Sequence, residues 1–343
     1  MRRGEKRPRI RWRDSRSCAK SAGKSLLLGP RVKAWQLCKW IIRNACPDLV
    51  DRWLLPGLGK LSHYPPRNLV VPDCYYKIPA PSPPPRISIV TPSLNQAPFL
   101  EFTLRSVIEQ KYPDIEYIVQ DGGSSDGSVE ILMRYEKLLT RWQSFQDRGQ
   151  AHAINLGFAH SSGEIMAWLN SDDLLLPRTL NYVARFFNQH PDVDVIYSHR
   201  IMIDEMGREI GRWILPPHDE EVIRWADYVP QETLFWRRRL WKSVGEALDE
   251  NFQFAMDWDL ILRFQEVHAK FVRVPRFLGA FRVWPNQKTQ REMNGLGALE
   301  IGLLRERHHG RPVSQAEASL QLRKYLLRHI LYRTLYGLGI NHY

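Results

Sequence analysis

The sequence predicts an α/β protein: a mostly parallel sheet flanked by helices, with a basic extension at each end. Three observations predict it. Short β-branched runs alternate with segments of helical period between Arg86 and Ser198. Polar and acidic residues collect where the runs end. The formal net charge of +12 is confined to the termini. Residues 1–85 carry 18 Lys/Arg against 5 Asp/Glu, and the 39 residues from Arg305 carry 7 against 2. Residues 86–304 are left with 24 against 30, so an acidic body stands between basic ends.

The N-terminal extension, 1–63, opens with Met1–Lys24, a basic stretch poor in large apolar residues that reads as disordered. Ser25–Leu61 places Leu28, Val32, Trp35 and Ile42 at helical spacing, enough for one or two short helices. Tyr64–Pro85 holds eight prolines, including Pro83-Pro84-Pro85, and reads as an extended linker. The body, 86–285, starts with the strand Arg86–Thr91. A helix over Phe99–Gln110, the strand Ile115–Gln120 and a helix over Val129–Leu139 follow. Next come a strand at Trp142–Gln146, a helix at Ala151–His160 and a strand at Glu164–Leu169. Pro177–Gln189 is a helix with proline at its start, where a missing N–H is harmless, and Val193–Ser198 is a fifth strand. After residue 200 the pattern loosens. Residues 286–343 form a helical extension, with a basic amphipathic helix at Ala316–Tyr336.

Composition excludes several classes. No run approaches the ~18 apolar residues of a membrane span, and none has the ~7–15 expected of a signal peptide. All four cysteines, Cys18, Cys38, Cys46 and Cys74, precede residue 86, at spacings of 20, 8 and 28 that match no metal-ligand pattern. A body without cysteine fits a reducing compartment. The dinucleotide GxGxxG turn and the GxxxxGK[ST] phosphate loop are absent from the first strand's end.

Ligands of such sheets sit at the carboxyl ends of the strands. There the chain offers Thr91-Pro92-Ser93-Leu94-Asn95, Asp121-Gly122-Gly123 and Asn170-Ser171-Asp172-Asp173. Adjacent carboxylates at a strand tip repel unless a cation or hydrogen bonds neutralise them, and hard oxygens suit Mg²⁺ or Mn²⁺. They equally suit a helix cap, and Asp121 equally suits a tight turn. Three such tips on neighbouring strands favour a site.

The body resembles a family 2 glycosyltransferase with the GT-A fold, a Rossmann-like sheet. The residues that carry the resemblance are Val90–Asn95, Val119–Asp126, Asp147–Gln150, Ala153–Gly157, Gly163–Asp173, Pro230–Arg238 and Met256–Leu260, in the family's order and spacing. It implies an inverting transfer from a nucleotide sugar, a UDP-sugar first, to a glycan or lipid-linked acceptor in cell-surface polysaccharide biosynthesis. By position it implies that Thr91, Pro92, Ser93, Asn95 and Asp121 hold base and ribose, with Arg148 and Asn155 nearby. Asn170-Ser171-Asp172 occupies the DxD position, with Asn for the usual first Asp. That places the Mg²⁺ or Mn²⁺ duty on Asp172, with Asp173 assisting. Asp257 matches the general base, with Met256 where an acidic residue often stands. Asp259, four residues before Arg263, reads as structural. Processive relatives carry QxxRW after the base; here Glu221-Val222-Ile223-Arg224-Trp225 starts with Glu and precedes Asp257, so a single addition is implied.

Late aromatics are mostly core candidates, with Trp236 and Trp258 the candidates to touch an acceptor. His152, His218, His268, His308 and His309 form no ligand pattern and suit the surface. The basic ends suit a peripheral place at the cytoplasmic face of an anionic membrane, and the final helix equally suits packing on the body. Two rivals remain. A sugar-phosphate nucleotidyltransferase needs a glycine-rich basic loop after the first strand, where this chain has Pro92–Asn95. A nucleic-acid-binding protein needs a module that is not found, so no nucleic acid is expected.

Overall fold

The computed structural model describes residues 58–343. The disorder expected for Met1–Lys24, most of the Ser25–Leu61 helical segment, and Cys18, Cys38 and Cys46 lie outside the described residues.

The strands are β1 (Ile87–Ser93), β2 (Ile115–Asp121), β3 (Arg141–Ser144), β4 (Ile165–Trp168), β5 (Leu174–Leu175), β6 (Val195–Ile203), β7 (Glu209–Trp213), β8 (Phe235–Arg237) and β9 (Phe271–Arg282). The helices are α1 (Ala97–Ile108), α2 (Ser128–Tyr135), α3 (Gln150–Ala159), α4 (Thr179–Gln189), α5 (Arg238–Ser243), α6 (Met256–Glu266), α7 (Lys288–Glu292), α8 (Ala298–His309) and α9 (Gln315–Gly337). They form one nine-stranded sheet in the order β3-β2-β1-β4-β8-β6-β9-β5, with β7 paired to β6. The long ladders are parallel (β1 on β2 and β4, β2 on β3, β6 on β9), and short antiparallel pairings through β8 join the two halves.

Each apolar run becomes a strand because both faces of the sheet are covered. Every residue of β1 is buried, as a central parallel strand requires. Pro92 is tolerated in β1 because the register with β4 ends at Val90↔Trp168, two residues earlier. Helix α1 starts with proline in its first turn, and Asp126 accepts from the Ala97 N–H at 2.8 Å. Helix α4 starts at Thr179, not at Pro177: Arg178 (φ 57°) turns the chain first, so the proline precedes the helix.

The core beneath the sheet is aromatic. Trp236 stands 5.6 Å from Trp168, 5.7 Å from Phe158, 6.0 Å from Trp241 and 5.9 Å from Phe264, ring centre to ring centre. The expectation that Trp236 or Trp258 touches an acceptor is corrected here. They are 0% and 1% exposed, and the Trp258 indole donates to the Ile223 carbonyl at 2.8 Å. Their apolar surface is worth more inside the core than at a wet cleft. His218 is likewise not a surface residue. It stacks on Phe271 at 4.6 Å and hydrogen-bonds Tyr197 and Tyr228, and burial lowers its pKa to about 4.

The proline-rich segment is not a free linker: it makes a 3₁₀ turn at Asp73–Tyr75 and is fastened to the body. Arg67 pairs with Glu209 at 2.6 Å, and Leu69, Val71 and Tyr75 are buried. At the other end, α9 lays Ala318, Tyr325 and His329 against the body, with Tyr325 4.3 Å from Tyr228.

Candidate active site

The tips of β1, β2 and β4 lie side by side, since Ser93 registers with Asp121 and Val90 with Trp168. Asp121 is fully buried. Its carboxylate accepts from the Gly123 and Ser124 N–H groups (3.1 and 2.8 Å) and from the Ser124 and Ser144 hydroxyls (2.6 and 2.7 Å). Asn95, at φ 51°, receives the Ser125 N–H at 3.0 Å, and its own N–H donates to Ser124 Oγ at 2.7 Å. The two loops are therefore cross-braced into one rigid rim. Thr91 Oγ1 meets the Tyr117 hydroxyl at 3.2 Å inside the sheet. Ser93 Oγ is buried with no partner among the described residues, at the rim itself. An unpartnered buried hydroxyl is costly unless a ligand completes it.

Arg148 and Asn155 serve the neighbouring loop. Arg148 makes a two-pronged contact with Glu250 at 2.8 and 3.0 Å, and Asn155 exchanges two hydrogen bonds with the Leu248 main chain. Gly122 packs so closely on Asp147 that a Cβ there would lie 2.9 Å from its carboxylate.

At the β4 tip, Asn170 Oδ1 accepts from Gln150 Nε2 at 2.8 Å, and its Nδ2 donates to Gln231 Oε1 at 3.1 Å. Asp172 Oδ2 accepts the Trp284 indole N–H at 2.9 Å. Asp173 is 1% exposed, and its Oδ1 accepts the Arg282 N–H at 2.9 Å. Burial raises the pKa of Asp172, and burial together with Asp172 and Glu232 raises that of Asp173 further. The pair expected to share a metal is thus divided: one carboxylate ties β9 to the sheet, the other holds an indole. Among the described residues no group of three or more His, Cys, Asp or Glu side chains is placed to hold a metal ion. Asp172 keeps its Oδ1 without a partner among the described residues, so a divalent cation would be held there only together with the phosphates of a bound donor.

Asp257 sits in the first turn of α6, half-buried, and accepts the Trp258 N–H at 2.9 Å. Burial raises its pKa, while Arg200 and Lys288 pull it down. Asp227, an exposed residue, lies within electrostatic reach of Asp257; burial of its carboxyl first, then the Asp257 charge, raises it well above the usual range. Asp259, read as structural, is one: it is fully buried between Arg263 (2.9 Å) and Arg307. Beneath this group, Arg200 grips Glu232 with two bonds of 3.0 and 2.8 Å.

The sequence did not single out Asp227, Glu232, Arg200, Trp284 or Lys288. All five lie in the part after residue 199 where strand and helix cease to alternate. The Pro230–Arg238 stretch carried Glu232 only as part of a motif.

The family model for glycosyl transferase family 2 matches residues 88–243. O-antigen biosynthesis protein RfbC of Myxococcus xanthus is 30% identical over 187 residues, 53% of this chain but 14% of that one. An uncharacterized glycosyltransferase, MT1564, of Mycobacterium tuberculosis (strain CDC 1551 / Oshkosh) is 31% identical over 181 residues, 52% of this chain and 68% of that one. Among solved structures, S. aureus TarS 1–349 with UDP-GlcNAc superposes with a TM-score of 0.54 at 19% identity, covering 71% and 72% of the two chains. Mannosyltransferase PcManGT of Pyrobaculum calidifontis, with GDP-Man and Mn²⁺, gives 0.51 at 19%, covering 88% and 81%. These structures share the GT-A fold with this chain. The chain belongs to glycosyl transferase family 2, and residues 88–243 match the family's domain.

Proposed function

We propose that this protein transfers one sugar from a nucleotide-diphosphate sugar to a hydroxyl of a glycan or lipid-linked acceptor, with inversion, in the building of a cell-surface polysaccharide or glycolipid. The observation that carries it is the pairing of a braced β1–β2 rim, with an unpartnered Ser93 hydroxyl, and a half-buried carboxylate, Asp257. The names of the O-antigen protein and of TarS with UDP-GlcNAc support a nucleotide-sugar donor and a surface-glycan product. In the proposed step the acceptor oxygen attacks the anomeric carbon from the face opposite the diphosphate. Asp257 takes the hydroxyl proton, and the bond to the β-phosphate oxygen breaks. Base and ribose lie against Thr91–Asn95 and Asp121. Arg148 and Asn155 shape the loop beside them, and Asn170 and Asp172 line the diphosphate side. The test is a screen of nucleotide sugars for nucleoside diphosphate release, followed by the anomeric configuration of the product. Release with no donor, or a retained configuration, would sink the proposal.

The Asp227–Asp257 pair gives a pH prediction. Asp257 ionises first, at a raised pKa, and its charge then keeps the proton on Asp227. The base must be ionised, so activity is lost as pH falls through that raised pKa, above the ordinary carboxylate range of about 4. Asp227→Asn imitates the protonated neighbour. It is expected to keep both the acid limb of kcat/KM and most of the rate. A loss as large as that of Asp257→Asn would move the base role to Asp227.

Membrane contact is proposed for the outer face of α9. Leu320, Leu327 and Leu331 are each more than half exposed and fall on one stripe, beside exposed Arg323 and Lys324. Among the described residues no helix is long and apolar enough to cross a membrane. Co-sedimentation with anionic vesicles, lost at high salt and in Leu327→Asp, is the expected result; equal binding to neutral vesicles would contradict it.

A further inference from the structure

The donor reading above leaves one problem unsolved. A nucleotide sugar brings two phosphate charges, and the departing diphosphate gains a third as the anomeric C–O bond breaks and keeps the electron pair. The β4 tip meets that charge with a neutral amide at Asn170 and with two carboxylates, one oxygen of each serving Trp284 or Arg282.

A cation does stand nearby. Lys288, the first residue of α7, donates to the Gln253 carbonyl and to Gln150 Oε1 at 3.4 Å. Gln150 in turn donates to Asn170 Oδ1 at 2.8 Å, so the ammonium is one side chain from the DxD position. On its other side it lies within electrostatic reach of Asp257. It thus stands between the Asn170 side and Asp257.

Among the described residues Lys288 forms no ion pair with a carboxylate. Glu300, the nearby acid on α8, spends its oxygens on the N–H groups of Gln253, Phe254 and Ala255 at 2.9, 2.8 and 2.8 Å. Burial is the main influence on the ammonium, and it lowers its pKa. Glu292, one turn on in the same helix, then Glu300 and Asp257 act on it from beyond ion-pair distance, so a half-buried cation with carbonyl contacts is left without a direct anionic partner, and a ligand could supply one. A phosphate oxygen would make that contact charge-assisted.

We propose that Lys288 binds the β-phosphate of the donor and neutralises the departing nucleoside diphosphate. This rests on the nucleotide-sugar reading. As the bond from the anomeric carbon to the phosphate oxygen breaks, the electron pair stays on that oxygen beside the ammonium, and the acceptor proton goes to Asp257. Lys288 keeps its own proton.

The test is equilibrium binding of uridine, guanosine, adenosine, cytidine and thymidine mono- and diphosphates to the full chain, in EDTA and in Mn²⁺. The expected result is a diphosphate that binds wild type in EDTA. Lys288→Met should weaken that diphosphate about tenfold to a hundredfold, the usual worth of a hydrogen bond to a charged group. It should leave the matching monophosphate unchanged, and Lys288→Arg should recover most of the loss. Three results overturn the proposal: unchanged diphosphate affinity in Lys288→Met, an equal loss for mono- and diphosphate (a structural latch on Gln253), or wild-type binding only with Mn²⁺. If wild type binds no nucleotide under either condition, the donor reading itself falls, and this inference with it.

Discussion

Asp257→Asn is expected to cut the transfer rate by about 10²–10⁴-fold, the usual contribution of a positioned general base, while leaving donor affinity close to wild type. The amide is isosteric and still accepts the Trp258 N–H, so the first turn of α6 should keep its shape. It cannot take a proton from the acceptor. The decisive pair of measurements is kcat with saturating donor and the affinity for the nucleoside diphosphate. A large loss of that affinity would mean that Asp257 binds the donor instead. The variant also removes the charge that keeps Asp227 protonated, so the Asp227 pKa should fall, which a carboxyl NMR titration would detect.

Arg200→Met is expected to destabilise the fold by about 3–5 kcal/mol, because it leaves Glu232 as a fully buried carboxylate without its partner. The guanidinium also lies over the rings of Phe281 (4.3 Å) and Trp213 (4.7 Å), and Asp173, Asp227 and Asp257 all feel its charge. Urea unfolding followed by fluorescence would measure the loss. Adding Glu232→Leu removes the stranded charge, so the double variant should be more stable than Arg200→Met alone. If the double variant is no better, packing of the guanidinium on its aromatic neighbours, not the ion pair, is the source of the effect.

The first half of the body was legible because its physics is local. A strand buried on both faces must be apolar throughout, and Arg86–Thr91 and Ile115–Gln120 announce themselves as β1 and β2. The helices between them follow the 3.6-residue period. The rim residues Ser93, Asn95 and Asp121 were legible for the same reason, since strand ends are where polar side chains must appear. The second half was not. Strand β8 is three residues long and antiparallel, β9 pairs with β6 from nearly 70 residues away, and β5 has two residues. No periodicity survives in pieces that short. Asp227 and Lys288 come within electrostatic reach of Asp257 only in the folded chain, which spacing along the sequence does not encode. Trp236 and Trp258 were misplaced because a tryptophan near a catalytic motif looks the same whether its ring faces a sugar or the core.

The three N–H groups gathered by Glu300 have a consequence for how this enzyme can be taken apart. They belong to Gln253, Phe254 and Ala255, the residues that lead into Asp257, and Arg307 of the same helix grips Asp259 just beyond it. The segment matched by the family ends at residue 243, ahead of all of these. A chimera joined at that point would therefore exchange Asp257, the proposed proton acceptor, together with its own scaffolding. One joined at residue 285, the boundary read from the sequence, would separate the proposed base from the clamp that holds its segment.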